Sequence, residues 1–307
     1  MRKRLVAVIA TATALLCSPA AAHVVSDREL QVFARFPSRF VERAMKDATP
    51  DDGGCVAPNR AGAWRDVVFQ RPATLLLIDA AARGDSTSAE RAWKALDQGF
   101  AAQIPSGDFR RRGAPRDSLL RDAAWVAAVC RGWIAVMNGP FQDRFRWRYA
   151  LMKPKLERTV DFLEARSSSL IASCAGRPAA LLVVAAAFLL ADGTYHDERY
   201  GRVGQEALSG ALARARSSDS CSFAADPSEH ALGLEALQSI AIYFPSPTLE
   251  RTAAVAARWL KPRSQPRPRR ASRDGERWDH ASTGEIELIL RYATIPPPPP
   301  LAPPAEH

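Results

Sequence analysis

The chain lacks the short motifs that would fix a reaction. Its 307 residues contain no His-Glu-x-x-His, no Cys-x-x-Cys, no nucleophile elbow around a serine and no phosphate-cradling glycine loop. A zinc-hydrolase helix, a zinc ribbon and a phosphate-binding loop are therefore excluded as expectations. "GRVGQEALSG" (201–210) is glycine-rich, but it has no strand before it and sits inside an amphipathic helical pattern. No metal or cofactor is expected. Asp226, His230 and His280 are residues of metal-ligating type that could converge at one end, but they lack tight ligand spacing.

Beyond the first 22 residues the sequence also has no long apolar run. The longest, Pro178 to Ala191, is 14 residues bounded by Arg177 and Asp192, whereas a membrane span needs roughly 20. It is expected to be a buried helix, with no transmembrane helix in the mature chain. Nor is there a broad surplus of charge. The net charge is +9, and without Arg2, Lys3 and Arg4 it is +6. Six basic residues and no acid lie between Lys261 and Arg273, so the rest is about neutral. That balance argues against a nucleic-acid-binding face and makes the Pro/Arg-rich stretch 261–284 a solvated loop.

The first residues, "MRKRLVAVIATATALLCSPAAAHVV", give a basic start, an apolar stretch from Leu5 to Leu16 and small residues Ala20, Ala21 and Ala22. This is the pattern of a secretory signal peptide over 1–22, cleaved near Ala22, which implies a periplasmic or secreted protein. Leu16 stands before Cys17 where lipidation would want a small residue. Cys55, Cys130, Cys174 and Cys221 remain after cleavage. In an oxidising compartment an even number suggests disulfides.

The mature chain alternates two kinds of helix. Residues 72–82, 123–137, 178–191, 231–243 and 285–293 are apolar nearly all round, as buried helices are. Between them run amphipathic segments marked by Ala89, Trp93 and Leu96, by Leu156, Val160 and Leu163, by Val203, Ala207 and Leu212, and by Leu249, Ala253 and Leu260. Residues 26–46 read as another amphipathic member, interrupted near Pro37. Amphipathic members recur at roughly 45 to 65 residues, near the period of helical-repeat proteins. The expectation is an all-α protein, with residues 23–294 forming one α/α toroid or incomplete barrel of about five hairpins. Its inner layer would be apolar and its outer layer amphipathic, with an open α-solenoid as the alternative. The tail 295–307, "IPPPPPLAPPAEH", has no means of packing a core and is expected to be disordered.

Inner-to-outer links are short, such as 83–88, 191–199 and 244–247, and outer-to-inner links are long. All long links then share one end, where binding residues usually lie. Thr194, Tyr195, His196, Asp197 and Glu198 fall at the short-link end and are expected to cap helices. The long-link end holds Arg116, Arg121, Asp122, Trp125, Arg177, Glu229, His230, Trp278, Asp279 and His280, at or near the starts of inner helices. Arginines beside aromatic rings suit an acidic sugar. Elimination from a uronate needs a cation on the carboxylate, a base and an acid. Arg121 or Arg177, then His230 or His280, then a tyrosine such as Tyr292 could fill those roles. Hydrolysis would need paired carboxylates, for which Glu229, Asp279 and Asp122 are available. Each of these residues has a bland reading too, as a cap or a buried partner. Cys174 and Cys221, on consecutive long links, are the expected disulfide, with Cys130 a buried thiol.

"QIPSGDF" (Gln103 to Phe109) resembles the Gln-x-x-x-Gly-x-Trp turn of terpenoid-cyclase-like toroids, with Phe109 in place of tryptophan. "RDGERW" (273–278) is a looser match, and the helical pattern over 27–293 is similar to secreted polysaccharide-lyase-like toroids. The resemblance implies a toroid and carries over no catalytic residue; the cyclases' Asp-rich acid motif is missing. Two functions follow as expectations. One is binding or processing of an acidic oligosaccharide or cell-envelope polymer. The other is a non-catalytic repeat scaffold for a protein or envelope partner.

Overall fold

The computed structural model describes residues 29–35, 39, 41–42, 50–51, 54–55, 67, 71–109, 117–137, 139–215, 221–261 and 283–294. The expected signal peptide, most of the basic loop, and the proline-rich tail beyond Thr294 lie outside them. The protein is all-α. Helix α1 covers 29–34. It is followed by α2 (Pro72–Arg83), α3 (Ser86–Ala101), α4 (Ser118–Met137), α5 (Gln142–Glu164) and α6 (Ser167–Ser173). Then come α7 (Pro178–Tyr195), α8 (Glu198–Ala215), α9 (Pro227–Tyr243), α10 (Pro247–Leu260) and α11 (Thr283–Thr294). A two-residue antiparallel pairing of Pro50–Asp51 with Gly54–Cys55 is the only ladder among the described residues.

The apolar helices are neighbours of one another. Helix α2 packs on α4, α4 on α7, α7 on α9 and α9 on α11, while α3, α5, α8 and α10 each pack on the preceding inner helix. The cause is the pattern of side chains. On α7 every residue from Ala179 to Ala191 is buried, so it can only sit inside. On α8 the buried positions include Tyr200, Val203, Gly204, Ala207, Leu208, Ala211 and Leu212, one stripe of a helix whose other side is wet. Each fully buried leucine or phenylalanine contributes roughly 1.5–3 kcal/mol relative to exposure. Small residues set the spacing. A side chain at Gly204 would meet the backbone nitrogen of Leu189 at 2.9 Å, and one at Gly233 would meet Cα of Ala179 at 2.8 Å. Helices α8 and α9 therefore approach α7 more closely than any larger residue allows.

Helix α7 runs to Tyr195, beyond the expected end at Ala191. At 18 residues it is long and apolar enough to cross a membrane by length and composition, yet 78% of it is buried inside the protein. The opening of the following turn matches the capping expectation in part. His196 ends α7 in the left-handed region (φ 57°), and Asp197 accepts from the Arg199 backbone N–H at 2.9 Å. Thr194 instead donates back to Leu190 O within α7. Pro247 starts α10 at the first helical position, where its missing N–H costs no hydrogen bond, and the Ser246 hydroxyl before it makes no capping bond. The link 167–177 is not irregular throughout, since it carries α6.

The described part of the first amphipathic segment departs from its expected outer position. In α1, Glu29 and Phe33 are fully buried and Val32 nearly so. Phe33 meets the Tyr292 ring edge-on at 6.3 Å, and its carbonyl accepts from Arg83. Helix α1 thus covers the C-terminal ends of inner helices, because its apolar side finds its partners there.

The "QIPSGDF" turn joins neighbouring hairpins. The Gln103 amide donates to Lys155 O (2.6 Å) and to Thr159 Oγ1 (2.7 Å), and the Thr159 hydroxyl donates to Gly107 O (2.7 Å). Gly107 has φ 94°, and a Cβ there would lie 2.2 Å from Arg158 O, so both conformation and space require glycine. Phe109 is buried edge-on against Trp125.

Candidate functional site

The inner helices enclose a polar cluster that the apolar pattern around it hides. Arg131 stands inside α4, Glu235 inside α9, Glu285 in the first turn of α11, Arg71 just before α2, and Glu29 in α1. Arg131 Nε donates to Glu29 Oε1 at 2.5 Å and its Nη1 donates to Glu235 Oε1 at 3.2 Å. Arg71 Nη2 donates to Glu285 Oε1 at 2.5 Å, and its Nε lies 4.0 Å from Glu235 Oε2. Glu235 therefore sits between two guanidinium groups, each of which holds a second carboxylate. The Tyr243 hydroxyl donates to the other oxygen of Glu29. The Arg131 guanidinium also lies over the Tyr292 ring at 5.6 Å.

Electrostatics explain why these five charges occur together. Burial works against the Arg71 cation, but Glu285 and Glu235 more than offset it and raise its pKa. Arg131 is raised in the same way, by Glu29 and Glu235. Burial also raises the Glu235 carboxyl, and the pull of the two arginines does not fully cancel that. A buried charge is tolerated only when paired, so each member is a condition for the others.

A cavity of about 40 Å³ lies against the cluster, lined by Arg71, Thr74, Ala128, Arg131, Glu235 and Ser239 among others. That is room for a few water molecules. The Arg71 Nε is buried without a hydrogen-bond partner among the described residues. The two hydroxyls of the lining are already committed as donors, Thr74 to Arg71 O and Ser239 to Glu235 O.

The residues expected to form a site at the long-link end divide into three groups. Arg177 and Glu229 are brought together, and Asp117, not among the expected residues, completes the set. Arg177 Nη1 donates to Asp117 Oδ2 at 3.0 Å and its Nε to Glu229 Oε1 at 3.3 Å. These three come from the starts of α7, α4 and α9, so the inner helices begin at one end. Asp117 has φ 63°, in the left-handed region.

A second group is enclosed. Arg121, Asp122 and Trp125 are buried in α4. His230 is fully buried, accepting from the Phe223 N–H at Nδ1 (3.1 Å) with Nε2 3.0 Å from Ala256 O. A neutral ring carrying its hydrogen on Nε2 satisfies both contacts. Phe223 stacks on the ring at 5.1 Å and Trp259 lies at 4.3 Å, so His230 joins the start of α9 to the end of α10. Tyr292 belongs with the central cluster. The third group, Arg116, Trp278, Asp279 and His280, lies outside the described residues.

The expected Cys174–Cys221 disulfide is not formed; both are free thiols, as is buried Cys130. Cys174 is enclosed beside Ser173 at the C-terminal end of α6, whereas Cys221 is partly exposed. Sharing one end of the fold did not bring the sulfurs together. Burial pushes the Cys130 thiol up to about 12, which suits a packed side chain and not a nucleophile. No group of three or more potential metal ligands occurs among the described residues.

These features define the chain as an all-α protein of inner and outer helices with a buried ionic centre. No protein-family model, no curated protein and no solved structure matches it. The sequence could have signalled the cluster. Arg131 and Glu235 are the lone charges of the apolar stretches 123–137 and 231–243, and such charges must find partners inside.

Proposed function

We propose that this protein is an exported α/α toroid that acts as a non-catalytic scaffold for a cell-envelope partner. The toroid reading is supported by the buried Arg71–Glu285 ion pair, which joins the first inner helix to the last. The scaffold reading is carried by one observation: the interior charges are engaged with one another around a cavity of about 40 Å³. An enzyme of this architecture needs open space between its acid, base and neutralising cation. In this reading the terminal helices α1 and α11 supply the carboxylates that fill that position.

A second reading is favoured by the partly exposed Asp117–Arg177–Glu229 set, where two of the expected site residues meet among the described residues. It is recognition of an acidic oligosaccharide at the long-link end, with Arg177 meeting the carboxylate.

Titration calorimetry of the mature chain with acidic and neutral oligosaccharides, with a uronate-elimination assay in parallel, separates the two. The scaffold reading expects no turnover and no saturable binding by the folded protein. Saturable binding of a uronate oligosaccharide that disappears in Arg177→Ala would overturn it in favour of the second reading.

A further inference from the structure

Trp147 and Leu151 are the large apolar side chains exposed among the described residues, at 59% and 62%. They lie four residues apart on α5, hence one turn above the other on a single face. Ala150 and Pro154, also exposed, continue that face. The opposite face holds Phe145, Met152 and Leu156, buried in the core. Helix α5 is therefore apolar on two sides, and the core accounts for only one.

The strip is framed by positive charge. From Asp143 to Arg158 the helix has six basic residues, Arg144, Arg146, Arg148, Lys153, Lys155 and Arg158, against the acids Asp143 and Glu157. Across the outer layer Glu90 pairs with Arg144 (3.4 Å) and Arg148 (2.8 Å), and Asp97 lies 3.6 Å from Arg148. Arg146 and Arg158 remain exposed and outside these pairs. The Arg148 guanidinium sits 5.2 Å from the centre of the Trp147 ring, a contact that helps hold the indole at the surface.

Scattered exposed apolar residues need no explanation, but a contiguous strip with a basic frame does. The strip is a ridge on an outer helix. A peptide is usually held in a groove, whereas a ridge of this chemistry fits a flat anionic surface. Indole rings favour the level of lipid headgroups, and arginines near the surface are attracted by anionic lipid. We propose that this face of α5 docks on an anionic phospholipid bilayer, with Trp147 and Leu151 entering the headgroup region and Arg146 and Arg158 meeting lipid phosphates. The proposal rests on the scaffold reading and names its partner.

The test is sedimentation of the mature chain with phosphatidylcholine vesicles, with and without phosphatidylglycerol. Saturable binding to the anionic vesicles is expected, weakening as salt is raised. Trp147→Ser/Leu151→Ser should bind about tenfold more weakly with unchanged circular dichroism and Tm, because both side chains are outside the core. Arg146→Glu/Arg158→Glu should weaken binding and flatten its salt dependence. No binding by the folded full chain, or undiminished binding by Trp147→Ser/Leu151→Ser, overturns the proposal. So does equal binding of soluble polyglutamate in competition with the vesicles, which would assign the face to an acidic polypeptide. Oligosaccharide turnover would sink the scaffold reading while leaving the vesicle result to stand or fall separately.

Discussion

Two ion-pair networks in this protein use the same chemistry in different surroundings. In the centre, Glu29, Arg131, Glu235, Arg71 and Glu285 have side chains at most 15% exposed. At the long-link end, Asp117 and Arg177 are about a third exposed while joining the starts of three inner helices. The centre is costly to assemble and costlier to break, since removing one partner strands another in a low-dielectric interior. Water and salt screen the outer network, so its members are separable. The first behaves as part of the core and the second as part of a surface. That contrast, more than residue type, decides where a ligand could compete for an arginine.

The largest way to test the contrast is Glu29→Ala. It leaves Arg131 without its closest carboxylate and Tyr243 without its acceptor, and should cost about 3–5 kcal/mol in chemical denaturation. The double variant Glu29→Leu/Arg131→Met sharpens the point. It removes both charges of that pair, while Glu235 loses the Arg131 hydrogen bond and keeps Arg71 nearby, so it should recover part of that loss; a denaturation midpoint no better than the single variant's would show that packing, not charge, is limiting.

Glu235→Gln probes the middle of the cluster through pH. Burial raises the Glu235 carboxyl above the ordinary carboxylate range in the folded protein, so its protonated form is favoured by folding. That contribution is complete below the unfolded pKa and is lost as pH rises through the folded value. In Tm measured against pH, the wild type should show this decline above about 4.5, and Glu235→Gln should lack it. The smallest effect is expected at the surface. Arg177→Ala should change stability by less than about 1 kcal/mol, with a difference that shrinks as salt is added. A larger loss in a salt series would place that network with the core.

Legibility from sequence followed the same division. The inner and outer helices were readable because continuous apolar runs and one-sided stripes each have one stable placement. That Arg177 and Glu229 share one end was readable from both standing at inner-helix starts, whereas their ion pair is a tertiary outcome. His230 stood in the expected place along the chain, but whether a histidine at a helix start faces solvent or a stacked aromatic pocket depends on Phe223 and Trp259 arriving from other segments. The missing Cys174–Cys221 bond has a similar cause. Loop order placed both residues at one end, while a disulfide needs Cα atoms within about 7 Å, which order along a chain does not specify.

By itself the amino-acid sequence determined the helices, their two kinds, and the need for inner ones to bury against one another, because these depend on periodicity and on the aversion of apolar surface to water. Tertiary structure alone decided that α1 leaves the outer layer to cover inner-helix ends, that five charges from five segments share one centre, and that α5 keeps a second apolar face outside. Those outcomes are set by which distant side chains can satisfy a buried charge or fill a space, and that becomes defined only when the helices pack.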